Sequence, residues 1–272
     1  MAKKGKGHKN RESEVGQQPK DVDAGMSRSS GEAEFLAEYD AAEFPRPSLT
    51  VDVALLTATS DALQALLVRR ERHPESGKWA LPGGFVRLDE SLDAAVARVL
   101  RDKAGLSGVF LEQLYTFGAV DRDPRTRVVT VSYYALVPGD RLVGVVVPGG
   151  ARTCLARLVV PWSGERGGSV QAIDADGAEM PLAFDHSEIL GMAVKRLRGK
   201  LDYAPIGYEL LPEVFSLREL QQIHEVISGR RTNKDSFRRR MLASGQLEAT
   251  GERDTDVGYR PPELYRFRGV EG

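Results

Sequence analysis

Cysteine is nearly missing from this chain. Cys154 stands alone among 272 residues, which excludes an intrachain disulfide framework and a multi-cysteine metal site and fits a reducing, cytoplasmic compartment. An excess of either charge is missing as well: 38 Lys and Arg oppose 39 Asp and Glu, a formal net charge of -1. The chain is therefore no globally basic nucleic-acid coat, and any nucleic-acid surface has to be local. No apolar run is long enough to span a bilayer, and no apolar signal-peptide core follows the start. A soluble intracellular protein without a membrane partner is expected, long enough for two compact domains.

A more telling shortage lies in GFVRLDESLDAAVARVLRDKAGL, residues 84–106. This stretch resembles the signature of the Nudix family of phosphate-anhydride hydrolases. Gly84, Glu90, Arg98, Leu100, Gly105 and Leu106 stand in register with it, while Val99, Asp102 and Lys103 occupy the positions of the family's metal-binding glutamates. Positions 99, 102 and 103 are spaced i, i+3 and i+4 and share one face of a helix expected over residues 91–104. Three carboxylates there would hold magnesium, which neutralises a pyrophosphate and activates a water. Valine offers no ligand, lysine adds positive charge, and Asp102 alone remains as a shorter substitute. The expectation is a protein with no metal site, no catalytic residues and no cofactor. Lys103 is free to meet a diphosphate directly as a point charge. Arg98 and Glu90 have two readings, a structural ion pair or ligand contacts.

Around this helix the chain divides in three. Residues 1–30 are polar and carry too few apolar groups to offset the entropy of ordering, so a disordered tail is expected. Residues 31–202 form the second part. Strands are expected over residues 49–57, 63–69, 111–120, 127–137 and 141–147, with a Gly/Pro break over 148–151 and a tight Gly-Gly entry to the signature helix. A helix over 185–201, periodic in Ile189, Leu190, Ala193, Leu197 and Leu201, closes this part.

Residues 203–272 form the third. Ser216 and Glu219 make a capping box opening an amphipathic helix that carries Leu217, Leu220, Ile223, Val226 and Ile227 inward and stops at Gly229. Thr232 and Asp235 read as a second capping box, opening a helix with Phe237, Met241 and Leu242 on its buried face. Strands at 247–250 and 263–267 follow. Helix, turn, basic helix and hairpin is the plan of a winged helix-turn-helix, giving an α+β chain with a mixed sheet first and a DNA-binding module last. Arg230, Arg231, Lys234, Arg238, Arg239 and Arg240 are opposed locally only by Asp235. In helix-turn-helix proteins the start of the second helix reads bases while arginines, lysines and amides fix the register on phosphates. Thr232, Asn233 and Lys234 are thus candidates for base readout, with Arg230 and Arg231 beside them in the turn. Arg238 and Arg239 are candidates for phosphate or base contacts, and Arg253 and Arg260 for the wing. A solvated basic face is the plain alternative.

Taken together, EYDAAEFPRPSLTVDVALL, KWALPGGFV, GAVDRDPRTRVVTVSYYALV, LAFDHSEIL and SLRELQQIHEVISGRRTNKDSFRRRMLASGQLEATGE followed by RPPELYRF are similar to the Nudix-related transcriptional regulators of NAD metabolism, the NrtR family. The resemblance runs from about Glu32 to Phe267. It implies a homodimeric repressor that binds near-palindromic double-stranded operator DNA upstream of NAD biosynthesis or salvage genes, and that lets go when ADP-ribose, its effector, binds. Candidate ligand residues are Gly83 and Gly84 for close backbone approach, and Arg69, Arg122 and Arg125 for the diphosphate or for stacking on adenine. Phe85 and Tyr134 are candidates for an aromatic wall, and Arg98 and Lys103 for further contacts. Trp79 reads as a core anchor, and His186 equally as a helix-entry hydrogen bonder or a ligand. Two competing functions remain, a hydrolase of ADP-ribose or a related nucleoside diphosphate, and a protein-interaction adaptor.

Overall fold

The computed structural model describes residues 24–143, 145, 152–254 and 261–269. In chain order the elements are α1 (Ala24–Glu38), β1 (Ser48–Ala58), β2 (Leu63–Arg69), β3 (Trp79–Ala80), β4 (Gly83–Phe85), α2 (Leu92–Ala104), β5 (Phe110–Phe117), β6 (Val128–Leu136), β7 (Thr153–Val159), β8 (Gln171–Ile173), α3 (His186–Lys200), β9 (Val214–Ser216), α4 (Leu217–Ser228), α5 (Lys234–Ala243), β10 (Leu247–Arg253) and β11 (Glu263–Phe267). The segment through Pro45 and the body from Arg46 are separate units. In the first, α1 begins at Ala24, inside the stretch expected to be a tail. Ala24, Met26, Arg28, Glu32 and Ala33 are good helix formers, a propensity independent of apolar content. The rest of that expectation, residues 1–23, lies outside the described residues.

In the body, β1 is the spine of an eight-stranded mixed sheet ordered β5-β6-β1-β2-β7-β8, with β4 added on β1 and β3 on β2. β1 runs parallel to β6 and antiparallel to β2. Strand alternation sends its side chains to opposite faces. Val51, Val53 and Leu55 pack on α2 through Ala95, Val96, Val99 and Leu100. Ala54 and Leu56 belong to the other core, with Ile189, Leu190, Ala193, Val194 and Leu197 of α3. Ser91 caps α2 by accepting from the Ala94 amide at 3.2 Å, and Gly105 stops the helix in the left-handed region, where a Cβ is costly.

One expected strand is wrong. Residues 139–142 form a 3-10 turn, and Arg141 donates to the carbonyls of Ser107 and Gly108. The edge of β2 is taken instead by β7, which sequence periodicity did not single out. Expected residues 144, 146 and 147 of that strand lie outside the described residues.

Beyond α3, the helices α4 and α5 and the sheet β10-β11-β9 make a winged helix. Ser216 and Glu219 form the expected capping box, the Ser216 amide donating to Glu219 at 2.7 Å. The second box is corrected: the cap of α5 is Asn233, whose Oδ1 accepts from the Ser236 amide at 3.0 Å. Phe237 and Met241 lie on the buried stripe as expected, but Leu242 is 43% exposed. One residue past Met241 is 100° around the helix, off an i, i+4 stripe. The winged helix is no appendage. Leu197 and Leu201 of the α3 region share one apolar cluster with Ile206, Phe215, Leu220, Ile223, Phe237 and Tyr265.

Candidate functional site

The backbone builds a cleft where β4 lies against β1. Their register sets Gly83 opposite Asp52, Gly84 opposite Val51 and Phe85 opposite Thr50. The approach is so close that a Cβ on Gly83 would stand 2.1 Å from Asp52 Oδ1 and 2.9 Å from the Val51 carbonyl oxygen, so only glycine fits. A cavity of about 160 Å³ opens there, floored by Thr50, Asp52, Gly83 and Gly84 and walled by Arg70, Phe85, Arg122, Arg125, Phe184 and His186. Five of the expected ligand residues meet in it: Gly83, Gly84, Phe85, Arg122 and Arg125.

The walls are charged and aromatic together. Arg125 holds Asp123 through a two-pronged contact of 2.7 and 3.0 Å and lies 5.3 Å from the centre of the Phe85 ring. Across the cleft Arg70 lies 4.6 Å from the centre of the Phe184 ring and donates to the Pro74 carbonyl. Arg122, with its side chain 5% exposed, grips Asp185 at 2.7 and 2.9 Å and stands 3.6 Å from Asp52. The His186 Nδ1 accepts from the Leu81 amide at 2.9 Å, while its Nε2 points to Asp52 at 3.8 Å. Burial pushes this imidazole below its usual range, so it stands neutral as the acceptor that Leu81 requires. His186 ties the start of α3 to Leu81, the hydrogen-bonding role of its two readings, and lines the cleft.

Other expected ligand residues fall elsewhere. Arg69 and Lys103 line an adjoining groove of about 530 Å³ with Asp102 and Arg152, and the two cavities share Arg70, Ala80, Leu81 and Gly83. Arg98 lies beneath β4, where it clasps Glu90 and donates to the Phe85 carbonyl at 3.0 Å, the structural ion pair of its two readings. That contact holds the Glu90 carboxyl down to about 2. Tyr134 is a correction: it is fully buried under α3, its hydroxyl donating to Glu112 at 3.0 Å. In the parallel register Tyr134 neighbours Ala54, two residues beyond Asp52, and α3 covers that stretch. Sequence reasoning passed over Asp52, Arg70 and Phe184. Arg70 directly follows Arg69, the last residue of β2; both line the adjoining groove, and Arg70 also reaches the cleft.

The signature helix does not fit magnesium. Val99 is 1% exposed and packed among Val51, Val53 and Leu100, Lys103 carries the wrong charge, and Asp102 stands 3.9 Å from Arg101. Among the described residues no group of three His, Cys, Asp or Glu side chains is placed to hold a metal ion.

The second candidate surface is the turn between α4 and α5, which is organised by Glu225. Its carboxylate accepts from the Thr232 amide at 2.8 Å, the Thr232 hydroxyl at 3.0 Å, Arg231 at 2.9 Å and Gln221 at 3.0 Å. These bonds, the Thr232 amide first, hold it down to about 2. Thr232 and Asn233, expected to read bases, therefore have their side-chain oxygens engaged in the turn and the cap. Lys234, Arg238 and Arg239 are exposed along α5. Lys234 and Arg238 line a groove of about 400 Å³ with Arg218, Gln221 and Arg231. Arg230 lies beside Gly164, and Arg253 is exposed on the wing, donating to the Pro261 carbonyl at 3.2 Å. Arg240 turns aside to Asp202 at 3.2 Å. Arg260 lies outside the described residues.

A mixed sheet carrying a signature helix and an arginine-lined cleft, joined to a winged helix with a basic second helix, defines a Nudix-type domain fused to a DNA-binding module. Residues 47–151 match the NUDIX domain, and residues 207–267 match the NrtR DNA-binding winged helix domain. The ADPR responsive transcriptional repressor NtrR of Acinetobacter baylyi is 38% identical over 240 residues, 88% of this chain and 89% of that protein. The crystal structure of Shewanella oneidensis NrtR complexed with a 27mer DNA superposes with a TM-score of 0.68 at 36% identity, over 81% of this chain and 93% of that one. A MutT/nudix family protein from Enterococcus faecalis reaches a TM-score of 0.67 at 28% identity, over 89% of this chain and 99% of that one. The chain belongs to the NrtR family of transcriptional regulators.

Proposed function

We propose that the protein represses genes of NAD biosynthesis or salvage by binding operator DNA as a homodimer, and that ADP-ribose releases it. One observation carries this reading: in a single body, a cleft offering Arg70, Arg122 and Arg125 beside the rings of Phe85 and Phe184 is joined to a winged helix whose second helix exposes Lys234, Arg238 and Arg239. The cleft has what a nucleoside diphosphate sugar demands, namely cations for the diphosphate, an aromatic surface for the base and a glycine floor for close approach. The relative from Acinetobacter baylyi is described as ADPR responsive, and the Shewanella oneidensis structure holds DNA. The signature helix makes the cleft a sensor without turnover, because Val99 and Lys103 supply no metal ligand.

The full-length protein is expected to select a specific duplex from a random pool, and ADP-ribose is expected to lower its affinity for that duplex. Linkage requires the duplex to weaken ADP-ribose binding by the same factor, typically about 5- to 150-fold. Replacing Arg238 and Arg239 together by glutamine removes two phosphate contacts and should flatten the slope of log affinity against log salt by about 2. Equal ADP-ribose affinity with and without the duplex would overturn the sensor reading, and magnesium-dependent cleavage of ADP-ribose lost in Asp102→Ala would restore the hydrolase.

A further inference from the structure

Helix α3 starts in the cleft and ends at the winged helix. At 1.5 Å per residue its 15 residues span about 22 Å. At its N-terminal end Asp185 occupies the cap position but makes no side-chain cap bond, and each of its carboxylate oxygens accepts from Arg122. A cap carboxylate ordinarily accepts from the second or third amide of the helix, here Ser187 or Glu188, and its charge complements the helix dipole. In the structure the Asp185 carboxylate lies on Arg122 while its carbonyl accepts from the Glu188 amide at 3.0 Å.

At the other end Arg198 spans three segments. Its Nε donates to the Ile227 carbonyl at 2.8 Å, in the last turn of α4, and its Nη1 donates to the carbonyls of Trp162 and Gly164 at 3.0 and 3.1 Å. The guanidinium lies 4.7 Å from the centre of the Trp162 ring. Ile227 stands just before Gly229, the left-handed residue at which the chain leaves α4 for the turn leading to the recognition helix. One rigid element therefore has its start latched to a cation of the cleft and its end fastened to the hinge of the DNA-binding module.

We propose that α3 carries the ligand signal between the two sites. In the structure Arg122 holds Asp185. An anionic ligand that takes Arg122 returns the Asp185 carboxylate to the start of α3, and Arg198 passes the resulting shift to the turn before α5. This rests on the ADP-ribose sensor reading above. It adds that Asp185 and the ligand compete for one guanidinium, and that coupling leaves through Arg198. Such a latch meets the requirement that a ligand shift an equilibrium only through contacts differing between two states.

The test uses the full-length protein, ADP-ribose and the selected duplex. If wild-type protein binds the duplex equally with and without ADP-ribose, the sensor reading itself fails. Where the wild type responds, Asp185→Asn, which can still cap the helix but no longer neutralises Arg122, should bind ADP-ribose at least about threefold more tightly and the duplex at least about threefold more weakly. A merely structural role would weaken both together. Arg198→Gln should bind each ligand alone within about threefold of wild type while the factor by which either weakens the other falls at least about fivefold. Arg198→Lys, which keeps the charge and loses the fork, replaces it if the glutamine variant does not fold. Asp185→Asn losing affinity for both ligands, or Arg198 variants keeping the wild-type coupling factor, would overturn the proposal.

Discussion

The demand on Gly83 comes from the two atoms it faces. A methyl group at this position would meet the Asp52 carboxylate at 2.1 Å and the Val51 carbonyl at 2.9 Å, and the second of these is backbone that cannot turn away. Its neighbour Gly84 is different: the nearest atoms to an added Cβ are Val99 Cγ2 at 3.6 Å and Arg98 Nη1 at 3.9 Å, ordinary contact distances. Gly83→Ala is therefore expected to cost about 1–3 kcal/mol of stability through overpacking, and to weaken ADP-ribose binding by displacing Asp52 or β4. Gly84→Ala should stay within about 0.5 kcal/mol of wild type. Urea unfolding of the two variants decides the matter, and equal losses would mean that β4 moves freely against β1. The Gly-Gly pair marks a close approach in the sequence, but which glycine is obligatory depends on Asp52, about thirty positions earlier. Nothing local reveals that partner. The same holds for the Arg122–Asp185 grip, whose partners lie 63 residues apart.

At the scale of elements, short-range chemistry was readable and long-range pairing was not. The start of α4 was legible because Ser216 and Glu219 complete their bonds within four residues, and α2 because the signature that marks it is contiguous in the chain. The strands β8 and β9, three residues each, are too short to show a period. β7 is not evident from local sequence, because what makes it a strand is its pairing with β2, about ninety residues earlier in the chain. The shift of the α5 cap from Thr232 to Asn233 has a similar origin, since Thr232 is claimed by Glu225 on the preceding helix. Glu225 is thus a positioning residue for α5. Glu225→Ala leaves the Thr232 amide and hydroxyl without their acceptor, a cost of about 1–3 kcal/mol concentrated in the turn. The variant is expected to lose duplex affinity while retaining ADP-ribose affinity, read by titrating each ligand. Unchanged duplex binding would show that the turn holds its shape without Glu225.

The whole molecule is joined by its core. Leu197 and Leu201 pack in the same cluster as Leu220, Ile223 and Phe237, so the sensor and the winged helix should unfold in one cooperative transition instead of two. His224 offers a way to test this from one side only. It is buried on α4, edge-on to the Phe237 ring at 5.1 Å between centroids, and its Nε2 lies near Gly207. Burial, helped by Arg240 and opposed by Asp202, pushes its imidazole down to about 4. A base whose pKa is lower in the folded than in the unfolded state takes up a proton on unfolding. Its contribution is whole above about pH 6.5 and is lost as pH falls toward 4. Between pH 7 and pH 5 that loss is on the order of 2 kcal/mol. His186 is pushed the same way by its own burial and adds to the loss in wild type and variant alike. Both tryptophans, Trp79 and Trp162, lie outside the winged helix. If the core is shared, urea unfolding followed by tryptophan fluorescence should lose less stability between pH 7 and pH 5 in His224→Gln than in wild type, because a proton taken up in the winged helix destabilises the tryptophans' surroundings through Leu197, Leu201 and Leu220. Identical pH dependence in the two proteins, or two separated transitions, would mean that the sensor and the DNA-binding module stand as independent folds and that coupling between them runs through hinge contacts alone.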